Sequence, residues 1–335
     1  MTLLNLSADA RRYIWPLAGL AALLLVNLVV TPEFFHIDII DGRLYGSLID
    51  VVNRAAPVAL LAIGMTLVIA TGGVDLSVGS VMAIAGAVAA GLIVSGVDNV
   101  VLIVAGGLLA GVAGGLLNGM LVGFLGIQPI VTTLILMVAG RGVAQLINAG
   151  QIVTFHHQAF GFLGSGHLFG LPFPIIIVVL VFVLLQLLMR RTALGLFVEA
   201  VGCNSRASQY VGINQRLVKL MVYCISGLCA AFAGMIATAD ISGSDANNVG
   251  LWLELDAILA VVIGGASLMG GRFSIVLSII GALIIQALSI TIIISGVPPK
   301  FNLLIKAAAI IIILLLQSPQ FHRQMTLLRQ TWRSA

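Results

Sequence analysis

Between Arg190 and Lys219 the chain gathers Arg190, Arg191, Arg206, Arg216 and Lys219 against a single acid, Glu199. Apolar segments long enough to cross a bilayer flank this island on both sides. Cations with one carboxylate and no nucleophile–base pair suit docking through rim charge, not covalent chemistry. Lysine and arginine between spans mark the side that faces the cytoplasm. The island is also long enough to form a short helix of its own. A structured basic loop with no catalytic motif is expected to hold a partner.

The remaining reactive side chains narrow the classes further. The three lysines, Lys219, Lys300 and Lys306, follow Val218, Pro299 and Ile305, so the phosphate-binding pattern GxxxxGK[ST] is absent. HExxH and GxSxG are absent as well, and the chain is not expected to be an enzyme. His156, His157 and His167 share the segment 149–172 with no carboxylate or cysteine, so they are read as loop histidines without a metal. Cys203, Cys224 and Cys229 are expected to stay free.

Isolated polar residues inside apolar runs are the other candidates, because each needs a partner or a water-filled path. Asp75 sits in Thr71-Gly72-Gly73-Val74-Asp75-Leu76-Ser77, which interrupts two apolar runs. Glycines end helices and Asp or Ser begins them, so this is either a cap-and-restart turn or a broken element lining a path. Asn118 accompanies Gly107, Gly111, Gly115, Gly119 and Gly123, which recur every four residues along one helix face. Such a stripe admits a neighbouring backbone closely, either as static packing or as a sliding surface. Asn53 and Arg54 open one span, while Arg141, Gln145 and Asn148 close another. Together they are either the mouth of a solute path or snorkelling anchors. Asn247, Asn248, Trp252, Glu254 and Asp256 combine hydrogen-bonding groups with an aromatic face, as a sugar site or a docking surface does.

The elements that must position these residues are transmembrane helices. Of 335 residues, 60% are hydrophobic and 8% charged, against roughly 25% charged in soluble domains. The bilayer is therefore the solvent, and unbroken apolar runs favour helices over a barrel. Ten spans are expected, near 13–31, 51–71, 76–95, 100–125, 129–148, 173–190, 216–239, 254–269, 273–294 and 301–318, in one domain over 1–335. With both termini inside, the inner side carries Arg11, Arg12, the island, Arg272, Arg323, Arg329 and Arg333. Arg11 and Arg12 precede an uncleaved first span. The net charge of +4 follows from topology and does not imply nucleic acid. GGVDLSVG at 72–79 and GGASLMGG at 264–271 suggest a faint internal repeat.

Four stretches carry a family resemblance: NRAAPVALLAIGMTLVIATGGVDLSVGSVMAIAGA (53–87), GLLNGMLVGFLGIQPIVTTLILMVAGRGVAQL (115–146), RTALGLFVEAVGCNSRASQYVGI (191–213) and ELDAILAVVIGGASLMGGRF (254–273). The chain resembles the permease subunits of bacterial ABC sugar importers of the ribose/galactose group. DGRLYGSLIDVVNRAAP and DANNVGLWLELDAILAVVIGG look most like galactofuranose permease subunits. The resemblance implies an all-α, ten-helix subunit of the inner membrane. It implies pairing with a second permease chain, identical or homologous, with two cytoplasmic ATPase subunits that bind ATP and Mg, and with a periplasmic sugar-binding protein. No cofactor is implied for this chain. In such importers a short cytoplasmic helix docks in a groove of the ATPase. Here it maps onto the coupling loop 190–219 and within it onto Glu199 to Ala207, with Glu199, Gly202, Asn204 and Arg206 as candidate contacts. The chain reads EAVG where some ABC importers carry a longer EAA-type pattern.

The path candidates are thus Asn53, Asp75, Asn118, Gln145, Asn148 and Trp252, and the solute is a monosaccharide. The competing expectation is a secondary sugar transporter driven by an ion gradient. That class needs intramembrane carboxylates. The expected mid-span regions contain none, and Asp75 is the one nearby.

Overall fold

The computed structural model describes residues 8–30, 32–40, 42–296, 298 and 301–317. Asp41, Lys300 and the basic tail with Arg323, Arg329 and Arg333 lie outside the described residues. The architecture is an α-helical bundle. Its helices are α1 (Ala8–Val30), α2 (Ser47–Ala70), α3 (Val78–Val94), α4 (Val100–Gly123), α5 (Pro129–Ile147), α6 (Gln158–Ser165), α7 (Phe173–Arg191), α8 (Ala193–Cys203), α9 (Ser205–Tyr210), α10 (Gln215–Asp240), α11 (Leu253–Ile263), α12 (Ile275–Ile294) and α13 (Asn302–Gln317). Each expected span coincides with one of these helices. Short two-stranded ribbons decorate the connections: β1 (Asp38–Ile40) with β2 (Arg43–Tyr45), β3 (Val153–Thr154) with β6 (Gly243–Ser244), and β4 (His167–Leu168) with β5 (Leu171–Pro172).

Caps explain several of the helix boundaries. Asn99, Thr192, Asn204, Asn214 and Ser274 each accept a backbone amide at the start of a helix. Gly72 and Gly265, both at positive φ, follow the ends of α2 and α11. Gly72 N donates to Ile69 O and Gly73 N to Val68 O; Gly265 N donates to Val262 O and Ala266 N to Val261 O. These are equivalent Schellman closures. The same bonds close α3 and α5, so the glycines shared by GGVDLSVG and GGASLMGG follow from a common helix cap.

α10 lies at the centre, against α2, α3 and α4. α2 is buried nearly all round from Ala55 to Ala70, which its uniformly apolar surface permits. α4 buries its glycines instead. A Cβ on Gly119 would fall 2.9 Å from Leu220 Cα, and one on Gly123 2.8 Å from the Arg216 carbonyl, while Gly115 faces Tyr223 and Gly111 faces Gly227. The stripe is therefore a close backbone contact with α10. The opposite face of α4 presents Leu102, Leu109 and Leu117 outward, as a lipid-facing surface would.

One span departs from expectation. α11 has 11 residues, a rise of about 16 Å against a hydrocarbon core of about 30 Å. The chain after α10 turns back into the bundle before α11 begins. Gly79, next to the start of α3, lies against the Gly250 carbonyl and Glu254 Oε2. Among the described residues, six helices, α2, α4, α5, α7, α10 and α12, are long and apolar enough to cross a membrane by length and composition.

Candidate functional site

The basic island folds as α8 and α9, joined at Asn204, whose side chain accepts from Ala207 N at 3.0 Å. α8 turns Gly195, Val198 and Val201 inward. At Gly202 a Cβ would strike the Ala70 carbonyl and come within 2.6 Å of Gly271 N. Gly202 therefore sits at the junction of the α2–α3 turn and the α11–α12 turn, which are themselves joined by Gly271 N donating to Ala70 O at 2.9 Å. Arg206 is exposed, as a docking contact must be. Glu199 is half-buried and lines a groove with Arg190, Gln186 and Ser274, between α8, α7 and the start of α12. The sequence reading overlooked the apolar groups at this end. Leu196, Tyr210, Val211 and Met269 are 68%, 89%, 77% and 88% exposed.

Asp75 lies just above that junction. Its carboxylate accepts from Ser77 N at 3.1 Å, Ser77 Oγ at 2.6 Å and Ser226 Oγ at 2.9 Å. Asn118 Nδ2 donates to Ser77 Oγ at 2.8 Å and approaches Asp75 Oδ1 at 3.4 Å. Asp75 and Asn118 are both buried, so neither faces an open path. The TGGVDLS segment is a cap-and-restart turn whose acid is satisfied by α4 and α10. Tyr223 Oη and Asn118 Oδ1 are buried without a hydrogen-bond partner.

The polar residues at the ends of α2 and α5 occupy two settings. Arg141, Gln145 and Asn148 follow i, i+4, i+7 spacing and clamp the segment before α11. Arg141 Nη1 donates to Ala246 O at 3.0 Å and to Val249 O at 2.5 Å, Gln145 Nε2 to Asn247 Oδ1 at 2.6 Å, and Asn148 Nδ2 to Ser244 O at 3.0 Å. A segment that leaves helical geometry inside a bundle needs such donors. Asn53 and Arg54 instead border a separate cavity of about 310 Å³ with Pro57, Asp240, Val249 and Gln286. Trp252 lies outside both groups. It precedes α11 in a left-handed conformation, φ 66°, and is largely exposed.

Two carboxylates in the first turn of α11 are drawn into the bundle. Glu254 is buried at the start of α11. Asp256 pairs with Lys306 of α13 at 2.6 Å, with both side chains largely covered. The expected span 254–269 begins where α11 begins, but the helix ends at Ile263, so the two acids in its first turn lie within the bundle. Gln286 was also missed, although it is the lone amide in the apolar run of α12.

Residues 47–314 match the family described as branched-chain amino acid transport system / permease component. The chain belongs to this permease family. It is 56% identical over 319 residues to the galactofuranose transporter permease protein YtfT of Escherichia coli (strain K12), covering 93% of this chain and 92% of the relative. The fructose import permease protein FruF of Bifidobacterium longum (strain NCC 2705) is 41% identical, with 92% and 88% covered. The ribose import permease protein RbsC of Escherichia coli (strain K12) is 37% identical, with 89% and 92% covered. No solved structure matches. The permease is thus a multi-pass membrane transport subunit, and its conserved-length relatives carry sugar-transport names instead of amino-acid ones.

Proposed function

We propose that the permease is the membrane-spanning subunit of an ATP-driven ABC importer that moves a monosaccharide, galactofuranose or a related pentose or hexose, across the bacterial inner membrane. The observation that carries this reading is the 56% identity to a galactofuranose transporter permease over nearly the whole of both chains. ATP and Mg belong to a separate ATPase subunit. A second permease chain, identical or homologous, completes the membrane unit, and a periplasmic binding protein delivers the sugar.

The α8–α9 element faces the cytoplasm, as do both termini, and docks on the ATPase through Arg206, the Asn204 corner and exposed apolar groups such as Tyr210. Closure of the ATPase pair moves α8. Gly202 passes that motion by backbone contact to Ala70 and Gly271, and thus to the turns that begin α3 and α12. No side-chain lever is needed, because the contact has no flexible atoms to absorb the displacement.

Co-purification from membranes expressing all subunits tests the reading. The wild-type permease is expected to retain an ATPase subunit in mild detergent, and an Arg206→Glu, Tyr210→Ala variant to lose it. Absence of any ATPase with the wild type would overturn the importer assignment. Retention in both would keep the class and remove α9 from the contact. Glu199→Arg separates the groove-lining acid from the docking surface: its effect is expected on the thermal stability of the permease alone.

A further inference from the structure

We propose that the cavity between α2, α6, α7, α10 and α12 is a binding station for one monosaccharide within a single permease chain, held by Asn53, Arg54, Asp240 and Gln286. This rests on the sugar-import reading and adds a site to it. The cavity, about 310 Å³, falls at the small end of small-molecule sites, which span about 300–1,000 Å³, and suits a single ring.

Its chemistry matches a polyol. A sugar hydroxyl donates one hydrogen bond and accepts others, so its site needs both kinds of group. Asn53 Oδ1 is buried with no hydrogen-bond partner among the described residues. Pro57 lies four residues on in α2 and has no N–H, so it cannot give the Asn53 carbonyl its usual helical bond. Two acceptors therefore stand together on one residue. Gln286 adds an amide from α12, and Arg54 and Asp240 add a donor and an acceptor at the exposed rim.

The arrangement also suits release. The charged pair lies at the mouth, while the partly covered positions carry neutral amides. Pro57, Pro174, Ile236 and Ala237 line the rest, and no aromatic ring is present to stack on the sugar. Affinity at such a site is low, as a carrier requires. Val249 forms part of the wall, and its carbonyl is held by Arg141. The segment clamped by α5 thus forms one wall of the station.

The test uses the complete importer, with permease, ATPase and binding protein, in proteoliposomes supplied with D-galactose, D-ribose or D-fructose. Sugar accumulated per ATP hydrolysed is measured for wild type, Asn53→Leu, Gln286→Met and Gln286→Glu. Loss of one or two hydrogen bonds in the Leu and Met variants is expected to lower that ratio about tenfold for the best sugar. Gln286→Glu, which keeps an acceptor, is expected to retain more of it. A ratio within about twofold of wild type for both Leu and Met variants would overturn the station. So would uptake and hydrolysis falling in parallel, which is the mark of a merely structural role. Wild-type vesicles in which sugar-loaded binding protein does not stimulate hydrolysis would overturn the importer reading, and the station with it.

Discussion

Gly271 donates its amide to the carbonyl of Ala70 at 2.9 Å, and Gly202 packs against both groups. Three segments far apart in the chain thereby meet through main-chain atoms alone. Substituting Gly202 by alanine puts a methyl group against backbone that cannot rotate away, with an expected cost of about 1–3 kcal/mol for overpacking. Thermal unfolding of the purified permease and co-purification of the ATPase report the change. Wild-type behaviour in both would show that α8 does not bear on this junction.

The glycine stripe of α4 gives a sharper contrast. Gly111 and Gly115 oppose the α10 backbone, whereas Gly142 on α5 has open space around it. Gly115→Val is expected to disrupt the bundle and reduce the yield of folded protein. Gly142→Ala is expected to be neutral or to stabilise by about 0.5–1 kcal/mol through helix propensity. Equal tolerance at the two positions would contradict the close approach of α4 and α10.

At Asp75, removal of the carboxylate strands three donors: Ser77 N, Ser77 Oγ and Ser226 Oγ. Asp75→Leu is expected to destabilise by several kcal/mol, since each unsatisfied buried group costs about 1–3. Asp75→Asn keeps one acceptor and is expected to lose less. Detergent-melting curves of the two variants rank them, and the reverse order would reject the capping role.

Asp256 and Lys306 are expected to show strong coupling. Lys306→Met alone leaves a covered carboxylate unpaired, at a cost of about 3–5 kcal/mol, while Lys306→Met with Asp256→Leu is expected to recover most of it. A double-mutant cycle on thermal stability measures the coupling energy. Additive losses would mean that the pair contributes nothing as a pair.

Acid should loosen the segment that precedes α11. The Asn248 side-chain amide, helped by the amides of Asn247 and Asn248, holds the Asp245 carboxyl below its usual range. A depressed folded pKa stabilises above the unfolded value of about 3.9 and is lost as pH falls through the folded value. Proteolytic sensitivity of this segment is therefore expected to rise on acidification below pH 4 in the wild type, and Asp245→Asn is expected to flatten the response. An identical pH profile in the variant would exclude Asp245 as the source.

Legibility followed the range of the interactions involved. The ten apolar runs, the stripe from Gly107 to Gly123 and the helix in the basic island all rest on local periodicity, and each lies where the pattern put it. The i, i+4, i+7 spacing of Arg141, Gln145 and Asn148 was visible too, but its target was not. Those side chains bind a segment about a hundred residues later, and nothing near them in the chain records it. At Asp75 the local pattern contains the cap-and-restart turn that forms, but not its third donor, Ser226, which lies 151 residues away. The cavity beside Asn53 draws on five helices, α2, α6, α7, α10 and α12, so only the isolated amide Gln286 hinted at it.

The brevity of α11 bears on how the protein is made. Asp256 leaves the ribosome 50 residues before Lys306, its counter-charge. A nascent helix of 11 residues with two acids in its first turn is too short to span lipid by itself. The half-helix is therefore expected to settle only once α13 has supplied Lys306. Truncation before Lys306 is expected to leave α11 at the surface, where a cysteine introduced into it would react with labelling reagents that the finished protein excludes.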